Sequence, residues 1–206
     1  MIEYTTIAAP CEGSITEKRS EFIAQLFPAE TEDECREIIE AVRAKHHKAR
    51  HNVWAYILRS GAVRYSDDGE PQGPGGIPVL NVLQKTELSD VCCVVTRYFG
   101  GVLLGAPGLT RAYSSSAAES VKNADLLHYS EAHRIRYVID YTDYGKVSYL
   151  LPEYGIADAG SDFGEKVTLL FDIRTDRYPA LEARLTELSG GKPALEILET
   201  HFVSFP

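Results

Sequence analysis

Apolar and polar positions alternate between Glu3 and Pro28 on either side of Gly13. This predicts a pair of strands turning at that glycine, the second ending in Phe22, Ile23, Leu26 and Phe27. Thr31 stands three residues before Glu34, a capping box, and Cys35, Ile38, Ile39 and Val42 follow at helical spacing to about His46. Val53 to Leu58 and Ala62 to Tyr65 predict a hairpin turning at Ser60-Gly61. A short helix over Pro78 to Gln84 comes next, and the apolar run Asp90 to Tyr98 reads as a central strand buried on both faces. From Pro107, the positions Leu109, Ala112, Tyr113, Ser116, Ala117, Ser120 and Val121 recur three and four apart, the stripe of a helix with small residues against a sheet.

After Leu126 the rhythm becomes more regular. A strand spans His128 to Tyr141 and a helix Tyr144 to Glu153, with strands near Ile156 to Ser161 and Lys166 to Arg174. A helix over Tyr178 to Leu188 and a strand over Ala194 to Phe202 complete the order βαββαβ, a ferredoxin-like pattern. The chain therefore reads as α+β in two domains, residues 1–125 and 126–206, divided by the change of pattern alone. Its 206 residues suit two cores of ordinary size.

Three stretches interrupt the pattern with residues that carry chemistry. The segment DDGEPQGPGGIP from Asp67 to Pro78 holds four glycines and three prolines in twelve residues, which excludes regular structure. Its carboxylates Asp67, Asp68 and Glu70 suit a hard cation such as Mg²⁺, or else cap turns and pair with arginines. The turn from Arg97 and Tyr98 through Phe99, Gly100 and Gly101 to Gly108 leads a buried strand into a helix start. That arrangement either cradles an anion between Arg97 and Arg111 or lets the helix pack closely. Lys45 to Asn52 places Arg50 and His51 at a helix C-terminus, where cations complement the dipole. Tyr98, Phe99, Tyr113 and Trp54 suit either base stacking or a core. No nucleophile elbow, HExxH spacing or CxxC pair occurs, so neither a catalytic constellation nor a cofactor is implied.

Charge narrows the choice of partner. The net charge is −9, with 13 basic and 16 acidic residues in 1–124 and 8 and 14 beyond, which excludes bulk electrostatic coating of nucleic acid. Any anion site must be local. No apolar run reaches the roughly 18 residues of a membrane span and the first residues lack a signal-peptide pattern, so a cytoplasmic protein is expected. Cys11, Cys35, Cys92 and Cys93 read as free thiols, the adjacent pair facing opposite sides of a strand.

The ordered set Lys18-Arg19-Ser20, Ala49-Arg50-His51-Asn52 into Trp54-Ala55-Tyr56, SDDGEP, and TRYFGG through GLTRAY from Thr96 to Tyr113 resembles the signature of the YigZ/IMPACT family. The resemblance covers residues about 16 to 122. It implies a first domain with the two-layer α/β fold of a ribosomal small-subunit protein domain and of domain IV of elongation factor G. The second domain would resemble domain V of that factor. RNA, the ribosome or a translation-regulating protein are the implied partners, and no catalytic mechanism is implied. Arg50, His51, Asp67, Asp68, Glu70, Arg97, Tyr98, Gly100, Gly101 and Arg111 match motif positions. Glu21, Pro74-Gly75 and Pro107 depart from the pattern, the first lowering local positive charge.

The expected role is a noncatalytic, translation-linked binding protein with an anion or nucleic-acid site at Arg50, His51, Arg97, Tyr98, Gly100, Gly101 and Arg111. The alternatives are a metal-assisted hydrolase of a phosphorylated small molecule using Asp67, Asp68 and Glu70, and a pure protein-interaction module. The binding expectation requires the Gly100-Gly101 bend and the Asp67 to Glu70 bend to meet in one pocket flanked by guanidinium groups.

Overall fold

The computed structural model describes residues 3–191 and 193–205. They form two compact units, one of residues 4–127 and the other of residue 3 with residues 128–205.

The first unit is entered through β1 (Glu3–Ile7), whose Thr5 carbonyl accepts the Ser89 N–H at 2.9 Å. Its sheet runs β2 (Cys11–Glu17), β3 (Ser20–Pro28), β6 (Val91–Tyr98), β4 (His51–Ile57) and β5 (Val63–Ser66). All four pairings are antiparallel. The first seven residues of β6 are all buried, as its unbroken apolar run predicts for a central strand. The two faces separate by parity. Cys92 and Val94 meet α1 (Glu32–Lys45) through Cys35, Ile39 and Val42, whereas Val91, Cys93 and Val95 meet α2 (Gly76–Lys85) and α3 (Gly105–Lys122).

Helices thus cover both faces, giving three layers where two were expected. A strand apolar on both sides requires cover on both. The Thr31–Glu34 capping box is present, with Thr31 Oγ1 accepting the Glu34 N–H at 3.2 Å.

The early turn differs from its expectation. The chain reverses at Lys18 and Arg19, both with positive φ, while Gly13 sits inside β2. A Cβ at Gly13 would lie 2.3 Å from the Ser120 nitrogen, so glycine serves here to let α3 lie directly on the strand.

In the second unit the strands run β10 (Leu195–Ser204), β7 (Leu126–Ile139), β9 (Val167–Arg174), β8 (Ala157–Phe163), all antiparallel. With α4 (Tyr141–Leu150), a 3₁₀ turn over Leu151–Tyr154 and α5 (Tyr178–Ser189), this is the ferredoxin-like order of the βαββαβ pattern. Ile135, Tyr137, Val167, Leu169 and Phe171 pack against Val147, Leu150, Leu181 and Leu185. On the opposite side of β9 the buried Asp172 accepts two bonds of 3.0 Å from Arg134.

Candidate functional site

The ends of β4 and β6 fix the first part of the site. His51 is register-paired with Arg97, which is paired in turn with Phe22 of β3, so all three project to the face covered by α2 and α3. Tyr98, one residue on, projects to the other face, where its hydroxyl shares a 3.0 Å hydrogen bond with His46 Nδ1 at the end of α1. Arg97 and Tyr98 therefore serve different surroundings.

Arg97 is held within the molecule. Its Nη1 donates to Glu70 Oε1 at 2.6 Å, and the Tyr113 hydroxyl donates to the same oxygen at 2.8 Å. The side chains of Arg97 and Glu70 are 7% and 3% exposed. The guanidinium also lies 5.4 Å from the Phe22 ring centroid and 5.5 Å from that of Phe99. Burial, and then the neighbouring Glu70 carboxylate, push the Tyr113 phenol far above its ordinary range, so it stays a donor. Arg97 Nε is buried and has no hydrogen-bond partner among the described residues.

The acidic loop is built by its own carboxylates. Asp67 Oδ1 accepts the N–H groups of Gly75 and Gly76 at 2.9 and 2.8 Å, and Oδ2 accepts that of Gly73 at 2.8 Å. Asp68 accepts from the Asn52 N–H at 2.7 Å and from Arg43 Nη2 at 2.6 Å, while its carbonyl accepts from His51 Nδ1 at 2.9 Å. The carboxylates weighed as metal ligands are thus engaged by protein donors. No group of three or more metal-ligating side chains is gathered among the described residues.

The glycine-rich turn is anchored at its start. Gly100 donates its N–H to Ser20 Oγ at 3.1 Å, and a Cβ there would lie 2.0 Å from the Arg19 carbonyl carbon. Lys18-Arg19-Ser20 and Gly100-Gly101 are therefore two halves of one contact. Beyond it, Phe99 and Leu103 are 51% and 82% exposed, and α3 begins at Gly105 with no side-chain cap from Leu104.

These pieces enclose a cavity of about 380 Å³. It is lined by Arg50 and His51 at the start of β4, by Glu70 and Pro71 of the acidic loop, by Arg97 and Phe99 at the end of β6, and by residues 103–106 and Leu109 at the start of α3. The acidic bend and the later part of the glycine-rich turn line it together, through Glu70-Pro71 and residues 103–106; the Gly100-Gly101 bend, on which the expectation rested, lies against Arg19 and Ser20 instead. Of the residues singled out from sequence, Arg50, His51, Arg97 and Glu70 line the cavity; Tyr98, Gly100, Gly101, Asp67, Asp68 and Arg111 do not. Arg50 is exposed and has no ion-pair partner among the described residues, and Arg111 is exposed on α3.

Sequence reasoning missed Tyr113 as a partner of Glu70, Arg43 as a partner of Asp68, and the leucines at the mouth. Leu103-Leu104 carried a usable signal: two adjacent apolar residues in a turn have no regular element to bury both.

A model described as the Impact N-terminal domain matches residues 18–121, and one described as a domain of unknown function (DUF1949) matches residues 128–192. The chain is 35% identical over 191 residues to IMPACT family member YvyE of Bacillus subtilis, covering 92% of this chain and 88% of that one. It is 28% identical over 196 residues to IMPACT family member YigZ of Escherichia coli, covering 93% and 96%. A Dictyostelium discoideum protein described as a Protein IMPACT homolog is 37% identical over 98 residues, 45% of this chain and 28% of that protein. A solved structure, described as that of a hypothetical protein, superposes with a TM-score of 0.62 at 27% identity, covering 97% of this chain and 98% of its own.

Proposed function

Since the chain belongs to the IMPACT family, we propose that it is a noncatalytic, translation-linked binding protein that contacts RNA or the ribosome through the loops around the first unit's cavity. One observation carries this reading. Three stretches distant in sequence converge on a cavity whose acid, Glu70, is neutralised internally, leaving Arg50 as an uncompensated cation at its wall. The surrounding groups are occupied in ways that argue against chemistry: His51 Nδ1 is tied to a backbone carbonyl, and Glu70 to Arg97 and Tyr113. The family's kinship with translation factors directs the reading toward RNA.

The test is co-sedimentation of the pure protein with ribosomes, and titration with RNA, across a salt series. Arg50→Gln weakens association and lowers the salt slope by roughly 0.7 to 0.9, the share of one phosphate contact. Arg111→Gln, outside the cavity, has the smaller effect. Association that is absent at every salt concentration, or that is indifferent to Arg50, overturns the proposal.

A further inference from the structure

Resting on that reading, we infer that the RNA is gripped by its phosphodiester backbone across one end of the first unit's sheet, from the Lys18-Arg19 turn to Arg50, with Lys45 and Lys48 beside it.

Three segments distant in sequence reach that end and are tied together there. The β2–β3 hairpin turns at Lys18-Arg19, the link from α1 to β4 carries Lys45, Lys48 and Arg50, and β6 ends at Tyr98. Tyr98 fixes the link through the 3.0 Å bond between its hydroxyl and His46 Nδ1, and Gly100 fixes the hairpin through the 3.1 Å bond from its N–H to Ser20 Oγ. Glu21 of β3 and His51 of β4 are in register with Tyr98 and Arg97 of the strand between them. The hairpin and the link therefore stand two strands apart, roughly 10 Å at about 4.8 Å per strand. Lys18, Arg19, Lys45, Lys48 and Arg50 are all exposed, and none has an ion-pair partner among the described residues. Glu17 and Glu21 flank the turn, while Asp68 and Glu70 are taken up by Arg43 and Arg97.

The turn itself gives an independent indication. Lys18 and Arg19 are the two central residues of the hairpin, with φ of 46° and 67°. Such a turn favours Asn-Gly, and a lysine followed by an arginine is strained there. The strain is held by the neighbouring backbone: a Cβ at Gly100 would lie 2.0 Å from the Arg19 carbonyl carbon, so the glycine lets residue 100 close onto the tip. Two cations kept where the backbone disfavours them, and clamped in place, serve what their side chains contact.

The charge of the remainder decides the shape of the partner. The chain carries −9 in all, so beside these five cations the other residues sum to −14. A broad anionic face such as a membrane brings that charge close together with the patch; a strand of RNA meets the patch alone. An acidic peptide is as narrow, but its charges sit on mobile side chains that must be ordered on binding. Lysines and arginines without amide side chains among them suit phosphates rather than base edges.

The experiment titrates the full chain with short single-stranded oligo(U), with polyglutamate and with phosphatidylserine vesicles across a salt series. It compares wild type with Lys18→Asn plus Arg19→Gly, with Lys45→Gln plus Lys48→Gln, and with Lys85→Gln at the far end of α2. The wild-type salt slope for oligo(U) is expected to be no steeper than about −3.5, the share of five contacts, and each double variant should make it shallower by about 1.4 and weaken binding. Lys85→Gln should change neither. The variant Lys18→Asn plus Arg19→Gly should also melt at a higher temperature than wild type, which separates its loss of binding from any loss of folding. RNA binding that responds to Arg50→Gln but keeps its affinity and slope in both double variants overturns this surface while sparing the proposed function. Absence of RNA binding at every salt concentration overturns both. Polyglutamate or vesicles bound as tightly as oligo(U) through the same residues overturn the assignment of the surface to RNA.

Discussion

Glu70 shows how a residue's role can be legible while its partner is not. Of the two readings open to the acids at 67, 68 and 70, a hard-cation site or turn caps with an arginine pairing, the fold follows the second at Glu70, with Arg97 buried beside it. No local pattern announces that pairing, because the two residues are 27 positions apart and meet only once β4, β6 and the acidic loop are assembled. Removing one partner leaves an uncompensated buried charge. Glu70→Gln should therefore lower stability by about 3–5 kcal/mol, whereas replacing both residues by apolar ones of similar volume, Glu70→Leu with Arg97→Met, should lower it less. Urea unfolding of the single and double variants measures the difference.

His46 provides a second test at the same scale. Burial, and then Lys45, hold its imidazole below the ordinary value, and its Nε2 is buried without a partner. A depressed pKa means fewer protons bound folded than unfolded. The stabilisation is thus complete above about 6.5 and is lost as the pH falls from there through the folded pKa. The urea midpoint of the wild type should decline in that window, and His46→Gln should flatten the decline.

Among the elements, helices and strands with strong periodicity were legible, and turns were not. The capping box at Thr31, the hairpin at Gly61 and the central strand all stand where the pattern put them. The turn at Lys18-Arg19 was missed because neither residue favours positive φ, so the nearby glycine drew the assignment. Gly13 instead marks the approach of α3, a tertiary demand that sequence rhythm does not record. Gly13→Ala should force the helix away from β2, destabilising the chain by about 1–3 kcal/mol. Circular dichroism during unfolding checks this, with Gly191→Ala, whose added Cβ meets nothing within 4 Å, as the neutral comparison.

For the molecule as a whole, the α+β class and the order of the second unit's elements were readable because each element carries its own period. The cavity was only half readable. The motifs identified Arg50, His51, Glu70 and Arg97 as neighbours in function, but which side of the sheet each one faces depends on strand parity. Parity removed Tyr98 and gave Gly100 the structural task of meeting Ser20. With a net charge of −9, long-range attraction to a polyanion is also weak. The salt dependence of any RNA association should correspondingly be shallow, reporting a few local cations rather than a basic surface.

Asp67, gathering three backbone N–H groups from Gly73 to Gly76, bears on the kinetics of recognition. A segment so rich in glycine would ordinarily have to be frozen by whatever docks beside it, at an entropic loss. Here the freezing is done in advance, so rival partners should differ chiefly in how long they remain rather than in how fast they arrive.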